Sequence, residues 1–520
     1  MLNNGSCGCV EYGARKNTWF SSCFLALVLI LASVGCAQKD APRDFVDAGR
    51  IPEIYPDYRN VTVPPNIAPM NFDVTEEDID DALTVLSCEG KRLATYSGWQ
   101  VRFPKKFWKK TLQENLDKAL VFTVYVKKDG KWTRFDDWTM NVSADKIDPW
   151  ISYRKIFPGY EYFSDLALWN RDLESFKERD FFRARLVNER TCVNCHSFQN
   201  YGSNAFMFHM RITEPGTVFC VDGNIVKRDL KADGMIAGCS YPAWPPNSLH
   251  VAFASCETMQ VFRTKSLDRL DVLDAYSDLY LHDVAQNKVR PVLPPSDDSF
   301  DTYPHWSSDG KTLYYCSSKN PGTKTKRTDP NRRSEILQLR EGFKYDVKKV
   351  TYDETTGRFG KPEMVFEASA LDKSALFPRV SPDGKTLLVT MTRFGCFPIW
   401  YLDADIWIVD LTTGEARPLD EINCPGESDS YHSWTSTGKW IVFASRRDDG
   451  TFTRLYFSHY DGNGKFSKPF MLPQKDPGQT IIDMFSYNVP EFTLEPVKVP
   501  KRAILKEAAV SNPEKAILVN

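Results

Sequence analysis

Charge of one sign is what this 520-residue sequence most clearly lacks. Lys plus Arg (66) and Asp plus Glu (68) nearly cancel, and no segment gathers basic residues into a nucleic-acid footprint, so nucleic acid is excluded as a partner. Beyond the N-terminus no apolar run reaches the roughly eighteen residues of a spanning helix, which excludes a membrane-embedded body. Cysteine is scattered rather than framework-forming. Once Cys36 and the close pair Cys192/Cys195 are set aside, Cys88, Cys220, Cys239, Cys256, Cys316, Cys396 and Cys424 remain at wide spacing. Such spacing is not a disulfide scaffold; several of these are expected to be buried as small hydrophobes, and one disulfide is left open. There is no second Cys-x-x-Cys, no G-x-S-x-G, no H-E-x-x-H and no phosphate-binding Gly loop, so the sequence offers no zinc-ligand quartet, nucleophile elbow or nucleotide cradle.

Aromatic residues are abundant at 13%, with 28 Gly and 32 Pro, a balance that favours strands and turns over helices. The N-terminus has the layout of an export signal. Arg15 and Lys16 are followed by the apolar segment 24–32 (FLALVLILA), then Ser33, Val34, Gly35 and Cys36. That ending resembles the bacterial lipobox, with Ser33 where Leu is usual. The resemblance implies a signal peptide over 1–35, lipidation of Cys36 and a tether over 36–50. The protein would then be lipid-anchored in the cell envelope of a Gram-negative bacterium, at the outer membrane, facing the periplasm or the surface.

Four segments repeat one pattern, an aromatic or Pro-containing lead, a polar turn and an alternating strand: 241–255 (YPAWPPNSLHVAFAS), 303–317 (YPHWSSDGKTLYYCS), 377–391 (FPRVSPDGKTLLVTM) and 431–445 (YHSWTSTGKWIVFAS). Asp309-Gly310 and Asp383-Gly384 suit tight hairpins, and the strands after them alternate as half-buried strands do. The repeats resemble the TolB-type propeller family, over about 197–495, with a weaker copy at 197–211 and a closing strand in 483–492. The resemblance implies a mainly β fold, a propeller of about six blades acting as an interaction platform. Too little chain follows residue 495 for a hydrolase domain of the kind some propeller peptidases carry. Residues 51–160 are expected to form a small β-sandwich-like domain, with strands at 94–103 and 119–127 and a hairpin at Asp129-Gly130. Segment 166–186 (LALWNRDLESFKERDFFRARL) has apolar residues at near-helical spacing among many charges, which predicts an amphipathic helix. The helix and the motif that follows it make a unit over 161–196, and 496–520 is left as a tail.

That motif is TCVNCHSF, residues 191–198. Cys-x-x-Cys-His resembles the attachment signature of c-type cytochromes. It implies one covalent haem c, with thioethers from Cys192 and Cys195 and His196 as the proximal iron ligand. Zinc, a thioredoxin-like pair and a structural disulfide are the competing readings; the first lacks further ligands, the second a βαβ context, and the third leaves His196 unexplained. The distal ligand is sought in 206–210 (FMFHM). His209 is the first candidate, Met207 and Met210 are alternatives, and an open position is the remaining one. His305 and His432 fall near the Trp positions of the repeats and read as lining the central funnel. The leading function is an exported mono-haem cytochrome in electron transfer or redox sensing, docking a redox partner or cell-envelope protein on its propeller. The alternatives are a haem enzyme of peroxidase or reductase type and a non-redox binding propeller.

Overall fold

The computed structural model describes residues 40–157, 163 and 165–519. The signal peptide, Cys36 and the first part of the tether lie outside the described residues. The remaining tether, 40–50, is pinned to the N-terminal domain instead of standing free. Val46–Asp47 pairs with Thr133 and Arg134, and Arg50 binds Glu76.

Six blades of four or five strands make the core of the fold. Blade 1 joins Trp150–Ile156, Ala167–Asp172 and Glu178–Arg183 to the distant Ser486–Thr493, which serves as its innermost strand. Closing the ring with strands from both ends leaves no open edge between first and last blades. Blade 2 runs from Thr191–Phe198 to Asn224–Asp229, blade 3 from Cys239–Ala243 to Lys288–Pro291, and blade 4 from Ser299–Trp306 to Glu363–Phe366. Blades 5 and 6 begin at Ser374–Val380 and Asp429–Trp434. The repeat turns are built as the sequence suggests. In blade 4, Asp309 Oδ1 accepts from Lys311 N (3.0 Å) and Gly310 takes φ of 70°; in blade 5, Asp383 and Gly384 (φ 75°) repeat this.

Residues 166–186 are not an amphipathic helix, and only Ala184–Leu186 at their end makes a single 3-10 turn. They form the two outer strands of blade 1, joined by a turn in which Asp172 Oδ1 accepts from Glu174 N (2.9 Å). The helical spacing arose because a bulge at Leu168/Trp169 interrupts the two-residue period. The charges belong to partners: Glu178 takes Lys155 Nζ (2.5 Å), and Asp180 takes Arg183 and Lys501. The propeller therefore starts at Trp150 rather than 197, and the Cys-x-x-Cys-His motif lies within it.

The N-terminal domain has a seven-stranded and a three-stranded sheet, with Phe72, Phe103, Phe122 and Trp138 between them. Helix Lys105–Glu114, not expected from the sequence, buries Trp108 and Leu112 against them. The predicted strand over 94–103 is two strands separated at Gly98, whose φ is 86°. The domain is tied to blade 6 through Asp148, which accepts from Ser436 N and Oγ (2.7 Å each), and through Asp145 with His459 Nε2 (2.8 Å). The tail is not loose. Glu514–Lys515 and Ile517–Leu518 add parallel strands to the outer edges of blades 2 and 3.

Candidate functional site

Every innermost strand of the propeller carries the same kink. One residue takes positive φ: Cys195 (51°), Tyr241 (50°), Tyr303 (50°), Phe377 (54°), Tyr431 (49°) and Val489 (52°). Four of these are aromatic and form a chain of packed rings, with centroids 4.3 Å apart for Tyr241/Tyr303 (tilted), 4.5 Å for Tyr303/Phe377 (edge to face) and 4.6 Å for Phe377/Tyr431 (stacked). Cys195 takes the aromatic's place in blade 2. The next column is His196, Pro242, Pro304, Pro378, His432 and Pro490; the one after is Ser197, Ala243, His305, Arg379, Ser433 and Glu491.

The motif faces the mouth where the innermost strands begin. Cys192 and Cys195 are free thiols and half-buried, whereas Cys88, Cys220, Cys239, Cys256, Cys316 and Cys396 are buried. Burial pushes the Cys192 thiol up, partly offset by Arg154 and Arg211. Asn194 Nδ2 donates to Cys192 Sγ (3.1 Å), and Asn194 Oδ1 accepts from Arg154. His196 is 3% exposed, and its ring approaches the backbone of Val489, the kinked residue of blade 1. Burial, with the Arg154 charge adding to it, lowers its pKa to about 3, so the ring is neutral near pH 7, the form that ligates a metal. Register places the ends of neighbouring strands at this mouth: Ile156 pairs with Ser486, and Ile212 with Thr191. Around it Leu186 (55%), Ile212 (59%) and Met484 (55%) are exposed, and Phe157 meets Phe485 edge to face at 4.4 Å. Isolated apolar residues are common on surfaces, but a group of them at the mouth that holds the motif suits an apolar macrocycle. Two reachable thiols, a buried neutral imidazole and this apolar border fit a covalent haem.

The distal candidates are placed differently. His209 is half-buried, and its Nδ1 contacts Thr217 Oγ1 (3.0 Å), leaving Nε2 for an outside partner. Burial, then Arg211, lowers its pKa to about 3. Met207 and Met210 are fully buried in two separate clusters, Met207 with Phe219 and Trp244, Met210 with Phe182 and Phe208. Sequence reasoning missed Arg154 and Arg211, two cations that flank the motif from neighbouring strands. No spacing rule links Arg154 to residue 194. Of the histidines read as funnel-lining, His305 lines the opposite mouth, while His432 is buried (1% exposed) inside the channel wall.

The fold and motif together define a six-bladed β-propeller with a Cys-x-x-Cys-His sequence on an innermost strand. No protein-family profile matches the chain, and no curated protein matches it significantly. Among solved structures it is similar to prolyl oligopeptidase B from Galerina marginata (10% identity, TM-score 0.34, 65% of this chain and 41% of that one). It is also similar to an oligogalacturonate lyase in complex with manganese (11%, 0.28, 82% and 100%) and to Kuenenia stuttgartiensis hydrazine synthase (13%, 0.29, 52% and 64%). The chain spans about two fifths of the prolyl oligopeptidase's length. Likenesses this low bear on neither activity nor substrate.

Proposed function

We propose that this chain is an exported mono-haem c-type cytochrome of the TolB-like propeller type, anchored to the membrane through Cys36 and working in electron transfer or redox sensing. The observation that carries this reading is the pairing of two half-exposed free thiols, Cys192 and Cys195, with the buried, neutral imidazole of His196 beside them. Each thiol would add its S–H across one vinyl group, sulfur to the inner carbon and hydrogen to the outer. A haem bound there supplies one-electron transfer between Fe(II) and Fe(III). His196, kept neutral by burial, would hold the proximal position without first losing a proton. Arg154 and Arg211 place positive charge beside the motif, which opposes a gain of positive charge there and favours the reduced state. The propeller's outer surface would dock the redox partner or a cell-envelope protein.

The test is expression with cytochrome c maturation machinery, then a haem stain on a denaturing gel and a pyridine haemochrome spectrum. Covalent haem with a two-thioether spectrum is expected, and its absence from folded protein overturns the reading. His209→Ala then separates the ligand sets: a shift from low-spin to high-spin iron assigns His209, and an unchanged spectrum removes it. A second reading, a non-redox cell-envelope binding propeller, is favoured by one observation: blade 6 has His432 at the step His196 occupies, with no cysteine near it in the motif.

A further inference from the structure

The mouth opposite the motif opens into a cavity of about 420 Å³, within the range of small-molecule sites. It is lined by the column that follows the kinked residues, so Arg379, Glu491, His305 and Ser433 all face it, from four blades. Rings of the Trp column, including Trp306 and Trp434, form its wall and are locked to neighbouring blades: Trp306 Nε1 donates to Ala243 O (3.2 Å), Trp434 Nε1 to Arg379 O (3.1 Å). The chain of packed aromatic rings lies between this cavity and the two thiols, while Ser197 and Phe198, just after His196, line the cavity itself.

Two groups in the cavity are under-used. The Arg379 guanidinium donates to its neighbour Pro378 O (3.0 Å), and among the described residues it forms no ion pair. A guanidinium carries five donors in a planar fork suited to a carboxylate. Glu491 Oε2 accepts from Phe198 N (2.8 Å), which leaves the other oxygen to the cavity. Burial drives the Glu491 carboxyl up to about 7, with Arg379 acting against it. A cation and a carboxyl group share one small chamber without bonding each other. We infer that the cavity binds a small polar carboxylate, its anion forked on Arg379 and its ammonium or hydroxyl donated to Glu491. Two sources have that chemistry, the zwitterion of an amino acid or short peptide and a sugar acid.

Isothermal titration of the purified chain with glycylglycine and with D-glucuronate distinguishes them, with D-glucose as the control lacking a carboxylate. Saturable binding of one acid is expected, with at least tenfold weaker binding in Arg379→Gln and no binding of glucose. Tryptophan fluorescence should respond in the same titration, because Trp306 and Trp434 wall the cavity. If Arg379→Gln does not fold, the glucose control still decides. Binding of neither acid to folded wild type overturns the inference, and so does equal binding of glucose or an unchanged affinity in folded Arg379→Gln.

Discussion

Blade 2 and blade 6 set a histidine at the same step of the same kink, yet the two surroundings differ. His432 follows Tyr431, whose ring continues the aromatic chain, and its Nδ1 lies 3.4 Å from Thr390 Oγ1. His196 follows Cys195, which puts a thiol where that ring would be, and its own ring approaches the Val489 backbone instead of a side-chain hydroxyl. Three residues before the kink, blade 6 has Ser428, bonded to Pro398 O (3.4 Å), and blade 2 has Cys192. Both rings are driven to a pKa of about 3 by burial. A histidine at this step is therefore compatible with the propeller by itself. What sets blade 2 apart is the pair of cysteines, and the haem reading rests on them more than on His196.

Removing that pair should have the greatest consequence. Cys192→Ala/Cys195→Ala is expected to lose covalent haem entirely on a stained denaturing gel, while circular dichroism keeps the β signature. Retained covalent haem would place the attachment elsewhere. Next in size is the exchange of each histidine for the residue that four other blades carry. Pro242, Pro304, Pro378 and Pro490 show that the backbone at this step accepts proline, so His432→Pro and His196→Pro should both fold. In the holoprotein, His196→Pro should abolish the low-spin visible spectrum and His432→Pro should leave it unchanged. A spectrum altered equally by both would mean that the two histidines are not distinct in role.

The blades that were plain in the sequence are those whose turns use Asp-Gly, because Gly310 and Gly384 are needed at positive φ and alternation follows at once. Blade 1 was illegible for physical reasons. Its turn at Asp172–Ser175 is closed by side-chain hydrogen bonds without glycine, a bulge breaks its period, and its innermost strand comes from 486–493. The motif itself was legible as letters. Its placement was not, since only the register shows that Cys195 stands in the column of Tyr241 and Tyr431. Arg379 and Glu491 were invisible for the same reason: the column they share with His305 exists only once the six kinks are aligned.

Acid should expose the buried histidines. In the unfolded chain their ordinary pKa is near 6.5, and folding depresses His432 to about 3 and His282 to about 4. The unfolded state then binds more protons over this window, so stability is full above pH 6.5 and falls as pH drops from there toward 3. Each such group contributes a slope of up to about 1.4 kcal/mol per pH unit. His432→Pro removes one of them, so its loss of Tm between pH 6 and pH 4 should be shallower than that of the wild type. An identical slope would show that His432 titrates normally, and that the similarity of the two histidine sites is one of sequence alone.

The smallest expected effect concerns Glu491, which stands between the two compared blades. On the blade 6 side Ser433 Oγ donates to Pro490 O (2.6 Å), and on the blade 2 side Phe198 N donates to Glu491 itself. Folding raises this carboxyl from 4.5 to about 7, so the folded state holds the extra proton. The sign is opposite to that of the histidines: the cost is absent below pH 4.5 and grows to its full value above pH 7. Glu491→Gln keeps an oxygen for Phe198 N and removes the charge. Its Tm should match the wild type at pH 4 and exceed it by a few degrees, about 2–4 °C, at pH 8. A lower Tm at pH 8 would mean that attraction to Arg379 outweighs desolvation, and that the charge in this chamber holds blades 6, 1 and 2 together instead of straining them.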